Sequence, residues 1–542
     1  MREDKVKEDD FNDKIDYTFL YRQKVGELLD QLVDNKKNYK KRDNIIKKIF
    51  GLERHAIPVI LERFQKANSK EASILSQLLM LLEVENENIG EKLIRLAFDS
   101  TIPDRNKNYI LKVLEFYGLE PGELPQEEVF NDPDKAIKDA REALFTEITQ
   151  NIEAIPQFLL ETSEFSPEIQ YSLIQEMAKE GDEKTVILLK VLALSDEPGI
   201  AREAIRGLEE NSTSSGLAVL EELLLEEDRE PYYEMIEDAK NNLYEKGILY
   251  PEKKQKKGFK TDEIYQAAVS KIDGRGNRAI WLALRWGKDK GGVCLINFLC
   301  NIDDGLKDCW GIYRITISEF KKLISDFRRD NSIISNDPEY AQKILSDAIY
   351  KSHENGSRKP VEFAFWRNFL EKDWLKKEPY LTGPVDFSQL SSDEKKKRTE
   401  NLWNELKQLH EHRDFWDWFV HHPHVYELAS ELLYSSKKSN KLIVLSTSKD
   451  MQKVYSNFID NLIKPKLDFY TRSLRLMADF ELKKGRTKMY RVIMYAIYYL
   501  QEKGEVDNHP FIKGMVHKSL QMAAQNIKHG FDLRINPEDF DI

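Results

Sequence analysis

The chain has 542 residues, room for two to four domains of about 100–200 residues each. With 41% hydrophobic and 33% charged residues, 24 Gly and 18 Pro, it is not collagen, a proline-rich linker or most glycine-rich phosphate-binding architectures. Three Cys exclude a disulfide framework and point to a reducing compartment. The net charge of −11 argues against a general nucleic-acid coat, and it is unevenly divided: residues 1–250 carry −20 and residues 251–542 carry +9.

Residues 1–54 are charged and weakly patterned. Phe19, Leu20, Val25, Leu28, Leu29 and Leu32 recur at helical spacing, so a helical extension is expected there. The N-terminus lacks the apolar stretch of a signal peptide, and no segment reaches the roughly 18–20 apolar residues of a membrane span. A cytoplasmic protein without a membrane partner is the expectation.

From 55 to 250 short amphipathic helices alternate with tight breaks. The pattern predicts helices near 57–66, 71–84, 88–99, 104–117, 134–152, 155–162, 167–180, 183–194, 198–209, 214–226 and 231–246. Pro103, Pro167, Pro198 and Pro231 stand at helix starts, where a missing N–H costs nothing. Ile110, Ile174 and Ile205 each follow one of these prolines by seven residues; Asp238 breaks the rule in the last repeat. A period of about 30–35 residues built from helix pairs is the sign of an α-solenoid.

The stretch Gly181-Asp182-Glu183-Lys184-Thr185-Val186, followed by Asp196-Glu197-Pro198-Gly199-Ile200-Ala201-Arg202, resembles a HEAT repeat of the short bacterial type. Gly181, Asp182, Asp196, Pro198 and Arg202 occupy places typical of that family. The neighbouring repeat at Pro167 departs from it, with no Arg. The resemblance covers about 55–247 and is best at 155–226. It implies a curved stack of helix hairpins that serves as a binding scaffold, and no particular chemistry.

Residues 251–260, Pro251-Glu252-Lys253-Lys254-Gln255-Lys256-Lys257-Gly258 and its continuation, read as a basic linker. Composition changes beyond it: all eight Trp lie between Trp281 and Trp418, and all three Cys between 294 and 309. Residues 278–286 and 293–300 read as two strands joined across 287–292, with 312–317 as a third strand. A helix is expected from about Ser318, taken as its N-cap, to Arg329. The expectation is a small Trp-rich α/β module, a β-hairpin plus helices, over 261–390. Residues 391–542 read as a helical bundle, with apolar stripes at Leu467, Tyr470, Leu474, Met477 and Leu482, then from Met489 to Leu500, then from Ile512 to Ile527. The fold class is mainly α: HEAT-like solenoid, small α/β module, C-terminal bundle.

Five of ten His fall within fifteen residues. His410, His421, His422 and His424, with Asp414, are the candidate metal ligands. His410 and Asp414 share a face if the segment is helical, but no H-E-x-x-H occurs. Cys294, Cys300 and Cys309 lack C-x-x-C spacing and read as buried small hydrophobes. Asp303, Asp304 and Asp308 around Gly305 do not follow a calcium-loop pattern, and Asp273-Gly274-Arg275-Gly276 precedes a strand rather than following one, unlike a dinucleotide loop. Lys483, Lys484, Arg486, Lys488 and Arg491 cluster around Gly485 and are the candidate interaction residues.

These features lead to a non-enzymatic protein–protein interaction scaffold that uses an acidic helical-repeat surface, with a protein partner and no cofactor. A metal-dependent enzyme or metal-binding module in 261–425, and nucleic-acid association through the basic C-terminal helices, stand as alternatives. The acidic repeats can also meet the chain's own basic half.

Overall fold

The structure is a computed structural model that describes residues 18–34, 39–82, 88–119, 124–179, 183–250, 263–286, 289–380, 382, 403–437, 449–501 and 506–535. Gly181 and Asp182 of the repeat motif, the 251–260 linker, the Gly287-Lys288 centre of the hairpin connection and the tail from Asn536 lie outside them. The chain is mainly helical, with one antiparallel sheet in its middle, and it divides into two compact units, residues 1–147 and 148–542.

The first unit holds α1 (Thr18–Asp34), α2 (Tyr39–Phe50), α3 (Glu53–Phe64), α4 (Ser69–Leu81), α5 (Asn88–Ala97), α6 (Asp104–Phe116), the single turn α7 (Gln126–Val129) and most of α8 (Pro133–Gln150). Their apolar stripes meet in one buried cluster. Leu29, Leu32 and Ile49 of the first two helices join Ile60, Phe64, Leu79, Leu93, Ile110 and Leu114 in it. Each such side chain contributes about 1.5–3 kcal/mol by leaving water. Pro103 sits at the N-cap of α6, as its missing donor predicts. Asn106, caught in this core, donates from Nδ2 to the Ala67 carbonyl at 2.7 Å.

The second unit opens with α9 (Ile155–Ser163), α10 (Pro167–Lys179), α11 (Val186–Ala193), α12 (Pro198–Asn211), α13 (Ser214–Leu223) and α14 (Tyr233–Glu245). α10 and α11 pack on α12, and α12 and α13 pack on α14. The sequence places every one of these helices to within a few residues, because each has an apolar stripe and a defined end. Pro198 opens α12, and Ser212 closes it in the left-handed region at φ 51°. Thr213 then caps α13 by accepting from the Gly216 N–H at 3.1 Å.

The sheet follows: β1 (Glu263–Ser270), β2 (Asn277–Trp286), β3 (Asp289–Asn301), β4 (Gly305–Thr316) and β5 (Ile333–Ser335), in the order β4-β3-β2-β1-β5 with every pair antiparallel. It has more strands than the sequence predicts: β1 and β5 are additional, and β4 begins seven residues before Ile312. One face carries Ala268, Trp281, Ala283, Val293, Leu295 and Ile315, covered by Phe320 and Ile324 of α15 (Ile317–Asp330). α16 (Pro338–Glu354) also packs on β1, β3 and β4. The predicted cap of α15 is corrected. Thr316, not Ser318, is the N-cap, and it forms a capping box with Glu319, because the strand stays extended through Thr316.

After the one-turn helix α17 (Phe363–Trp366) come α18 (403–409), α19 (Pro423–Lys437), α20 (Lys449–Phe458), α21 (Leu467–Lys483), α22 (Thr487–Gln501) and α23 (Pro510–Lys528). α21 packs on α22 across a turn where Gly485 takes φ 74°, a conformation that suits glycine. Tyr470, Leu474 and Met477 of the predicted stripe are buried, but Leu482 is exposed. No described helix is long and apolar enough to cross a membrane.

Candidate functional site

Two acidic turns of the second unit meet basic side chains. Ser195-Asp196-Glu197 joins α11 to α12, and Glu226 to Asp228 lead into α14. Buried Arg229 fixes the first turn, donating from Nη1 to the carbonyls of Ala193 and Ser195, each at 2.9 Å. Against these turns lies a basic segment of the same unit. Residues 357–360 carry no regular structure. There the Lys359 N–H donates to Asp196 Oδ2 at 2.9 Å, and Lys359 Nζ pairs with the same oxygen at 2.9 Å. Arg358 reaches Glu197 at 2.5 Å.

Further along, Arg367 is 4% exposed and forks onto Glu226 at 2.7 Å and Asp228 at 3.2 Å. Lys377 pairs with Asp228 at 2.6 Å, and Lys372 donates to the Leu225 carbonyl at 3.2 Å. Burial alone would raise the Asp228 pKa, but Arg367, Lys359 and Lys377 outweigh it and hold the carboxyl well below the usual range. A cavity of about 330 Å³ remains beside this contact. Its apolar wall includes Phe165, Tyr171, Leu192 and Ile200, and Pro360 and Val361 close it from the basic segment. The arrangement is a groove that grips a basic strand by charge and keeps apolar space next to it.

The metal candidates go to separate places. α18 ends at 409, and His412 is extended, accepting the Asp414 N–H at 3.2 Å. The shared helical face expected for His410 and Asp414 is therefore corrected: the local side-chain cap breaks the helix between them. His421 takes a hydrogen bond from Arg275 at 3.0 Å, and burial lowers its pKa. His422 Nδ1 accepts the His424 N–H at 3.1 Å. His424 bridges Asn457 at 2.8 Å and Glu427 at 2.6 Å, contacts that raise its pKa. Among the described residues, no group of three or more His, Cys, Asp or Glu side chains could hold a metal ion.

The basic turn after α21 is largely paired within the chain. Lys483 lies 3.7 Å from Asp337 and over the Tyr340 ring, Lys484 donates to Ser332, and Lys488 pairs with Glu405 at 2.9 Å. Arg486 Nη1 contacts Asp414 at 2.6 Å and Glu481 at 3.3 Å, and Arg491 is exposed. Asp414 and Glu481 are both buried. Burial, then the hydrogen bond and charge of Asp414, push Glu481 up to about 7. Asp414 resists its own burial through that hydrogen bond, Ser332, Lys484 and Arg486, and lies below the usual range. Sequence reasoning missed Glu481 because it stands on an ordinary helix-end pattern.

The remaining motifs are structural. Cys294, Cys300 and Cys309 are free and buried, and burial raises all three thiols. Ile302-Asp303-Asp304 is the turn between β3 and β4, and Gly305 opens β4. Asp273 braces the β1–β2 turn by accepting the N–H groups of Arg275 and Asn277. The basic segment from Arg358 to Lys377 was not singled out from the sequence. Its only signal is the run Arg358-Lys359-Pro360 after Gly356.

No protein-family model matches this chain, and no curated protein matches it. Among solved structures it is similar to human deoxyhypusine hydroxylase in complex with glycerol, at 15% identity over 42% of this chain and 98% of the other, with a TM-score of 0.16. A likeness at that score carries no argument about fold or function.

Proposed function

We propose that this chain is a protein-interaction scaffold whose HEAT-like helix pairs bind basic polypeptide segments. The observation that carries this reading is the grip of Asp196, Glu197, Glu226 and Asp228 on the chain's own Arg358, Lys359, Arg367 and Lys377. An irregular basic strand on the acidic turns of a helical repeat is how such a surface would receive a partner. The repeat motif around Pro198 and the −20 charge of residues 101–250 support the same reading.

The test uses a labelled peptide with the sequence of residues 355–366 and the full chain carrying Arg367→Ala, which loosens the resident segment. Fluorescence anisotropy should show saturable binding that weakens by about tenfold between low and physiological salt, as a charge-driven contact must. Glu197→Lys should weaken it further. Failure to saturate at roughly millimolar peptide overturns the reading.

A further inference from the structure

A second concave site lies elsewhere in the unit, where α18 meets the start of α23. It is an open depression of about 490 Å³. Its lining includes Lys407, His410, Lys513 and His517, the neutral donor Asn508 and the aromatic wall of Trp403. Among the described residues that line it, none is a carboxylate. Two lysines and two imidazoles thus face one space without a carboxylate in its wall; burial lowers the pKa of His410 and of His517, so the lysines carry the charge and the imidazoles serve as N–H donors. Lys513 has Asn508 Oδ1, a neutral acceptor, at 3.3 Å.

The nearby acids are engaged elsewhere or lie outside. Glu405 pairs with Lys488 at 2.9 Å and Asp507 with Lys464 at 3.2 Å; Glu411, 73% exposed, lies 3.9 Å from His410 Nε2 and, of these three acids, is the one that acts on a lining residue. Lys407 and Lys513, both exposed and without an acid in the same wall, favour a ligand of the opposite sign.

The site is also shaped. The His410 ring lies directly over Gly514, where any side chain would overlap it, so the glycine is what lets the imidazole reach the pocket. Trp403 is braced by Tyr499, with ring centroids 4.9 Å apart, which fixes it as a partly exposed flat wall. Pro510 begins α23, whose first-turn dipole adds positive potential to that of the side chains. A trigonal or tetrahedral anion satisfies the cations, and a planar ring satisfies the indole.

The geometry points to a binding site for a small phosphate monoester that carries a planar ring, with Lys407, Lys513, His410 and His517 on the phosphate and Trp403 on the ring. This assignment is independent of the peptide groove and uses none of its residues.

The probes are AMP, adenosine and inorganic phosphate, titrated calorimetrically into the full chain. AMP should bind about tenfold or more tighter than either adenosine or phosphate, because each lacks one half of the contact. The double variant Lys407→Glu, Lys513→Glu changes two exposed side chains and should keep the wild-type circular dichroism while losing about tenfold or more in AMP affinity. Trp403→Leu should bring AMP to the affinity of phosphate alone. Equal binding of AMP and adenosine, no saturation by roughly 5 mM AMP, or unchanged AMP affinity in the folded double variant each overturns the assignment.

Discussion

Glu481 and Asp414 show how one residue's environment sets a measurable property of the whole. Glu481 has no accessible surface, shares a hydrogen bond with Asp414 and has Arg486 at 3.3 Å. Its folded-state pKa of about 7 exceeds the ordinary 4.5, so folding binds a proton between those values and stability falls as pH rises through that window. His509 acts in the opposite sense. Burial lowers it from 6.5 to about 4, so its share of stability is lost as pH falls through that range. Glu481→Gln isolates the first effect, because glutamine keeps a donor for Asp414 without the charge. Urea unfolding from pH 5 to 8 should show a smaller loss with rising pH for the variant, and a variant more stable than wild type at pH 8. Identical pH profiles would rule out a protonated Glu481. None of this is legible in the sequence, where Glu481 and Asp414 stand 67 positions apart.

At the scale of single elements the sequence is a good guide where a stripe is long and poor where it is short. α10, α12 and α13 carry an apolar period over ten or so residues and are bounded by Pro, Ser or Thr signals, so their existence follows from local chemistry. β1 offers Ala267 and Ala268 in place of large alternating side chains, and β5 has three residues, too few for a pattern. β4 is masked by Lys307, Asp308 and Gly311. That glycine is a packing requirement, since a side chain there would press on the Leu295 carbonyl and the Trp366 indole. The α15 capping box is a local device with a local test. Thr316→Ala removes the cap to the Glu319 N–H, which is 3.2 Å long, and should cost about 0.5–2 kcal/mol in chemical denaturation. A loss well below that range would mean the helix is held by its apolar face alone.

For the second unit as a whole, the division of charge becomes a contact. The acidic turns at 196–197 and 226–228 face Arg358, Lys359, Arg367 and Lys377. Arg367 is the centre of this contact because it is almost fully buried and serves two carboxylates at once. Arg367→Ala leaves Glu226 and Asp228 without their main partner and should cost roughly 3–5 kcal/mol. Arg358, 70% exposed, pairs with an exposed Glu197, so Arg358→Ala should cost less than about 1 kcal/mol. Equal losses for the two variants in equilibrium unfolding would show that burial does not grade these pairs.

The sequence by itself determined the mainly helical class, the positions of the helices between 155 and 245 and the presence of strands in the middle of the chain. Each depends on periodicity or on a turn residue acting within a few positions of itself. Only the tertiary structure decided which charges meet, where the histidines go and that Glu481 is buried beside Asp414. Arg367 and Asp228 are 139 positions apart, and Lys484 and Ser332 are 152 apart. No local pattern encodes such pairs. Their partners are chosen by how the helices and the sheet pack, and burial then sets the strength of each charge.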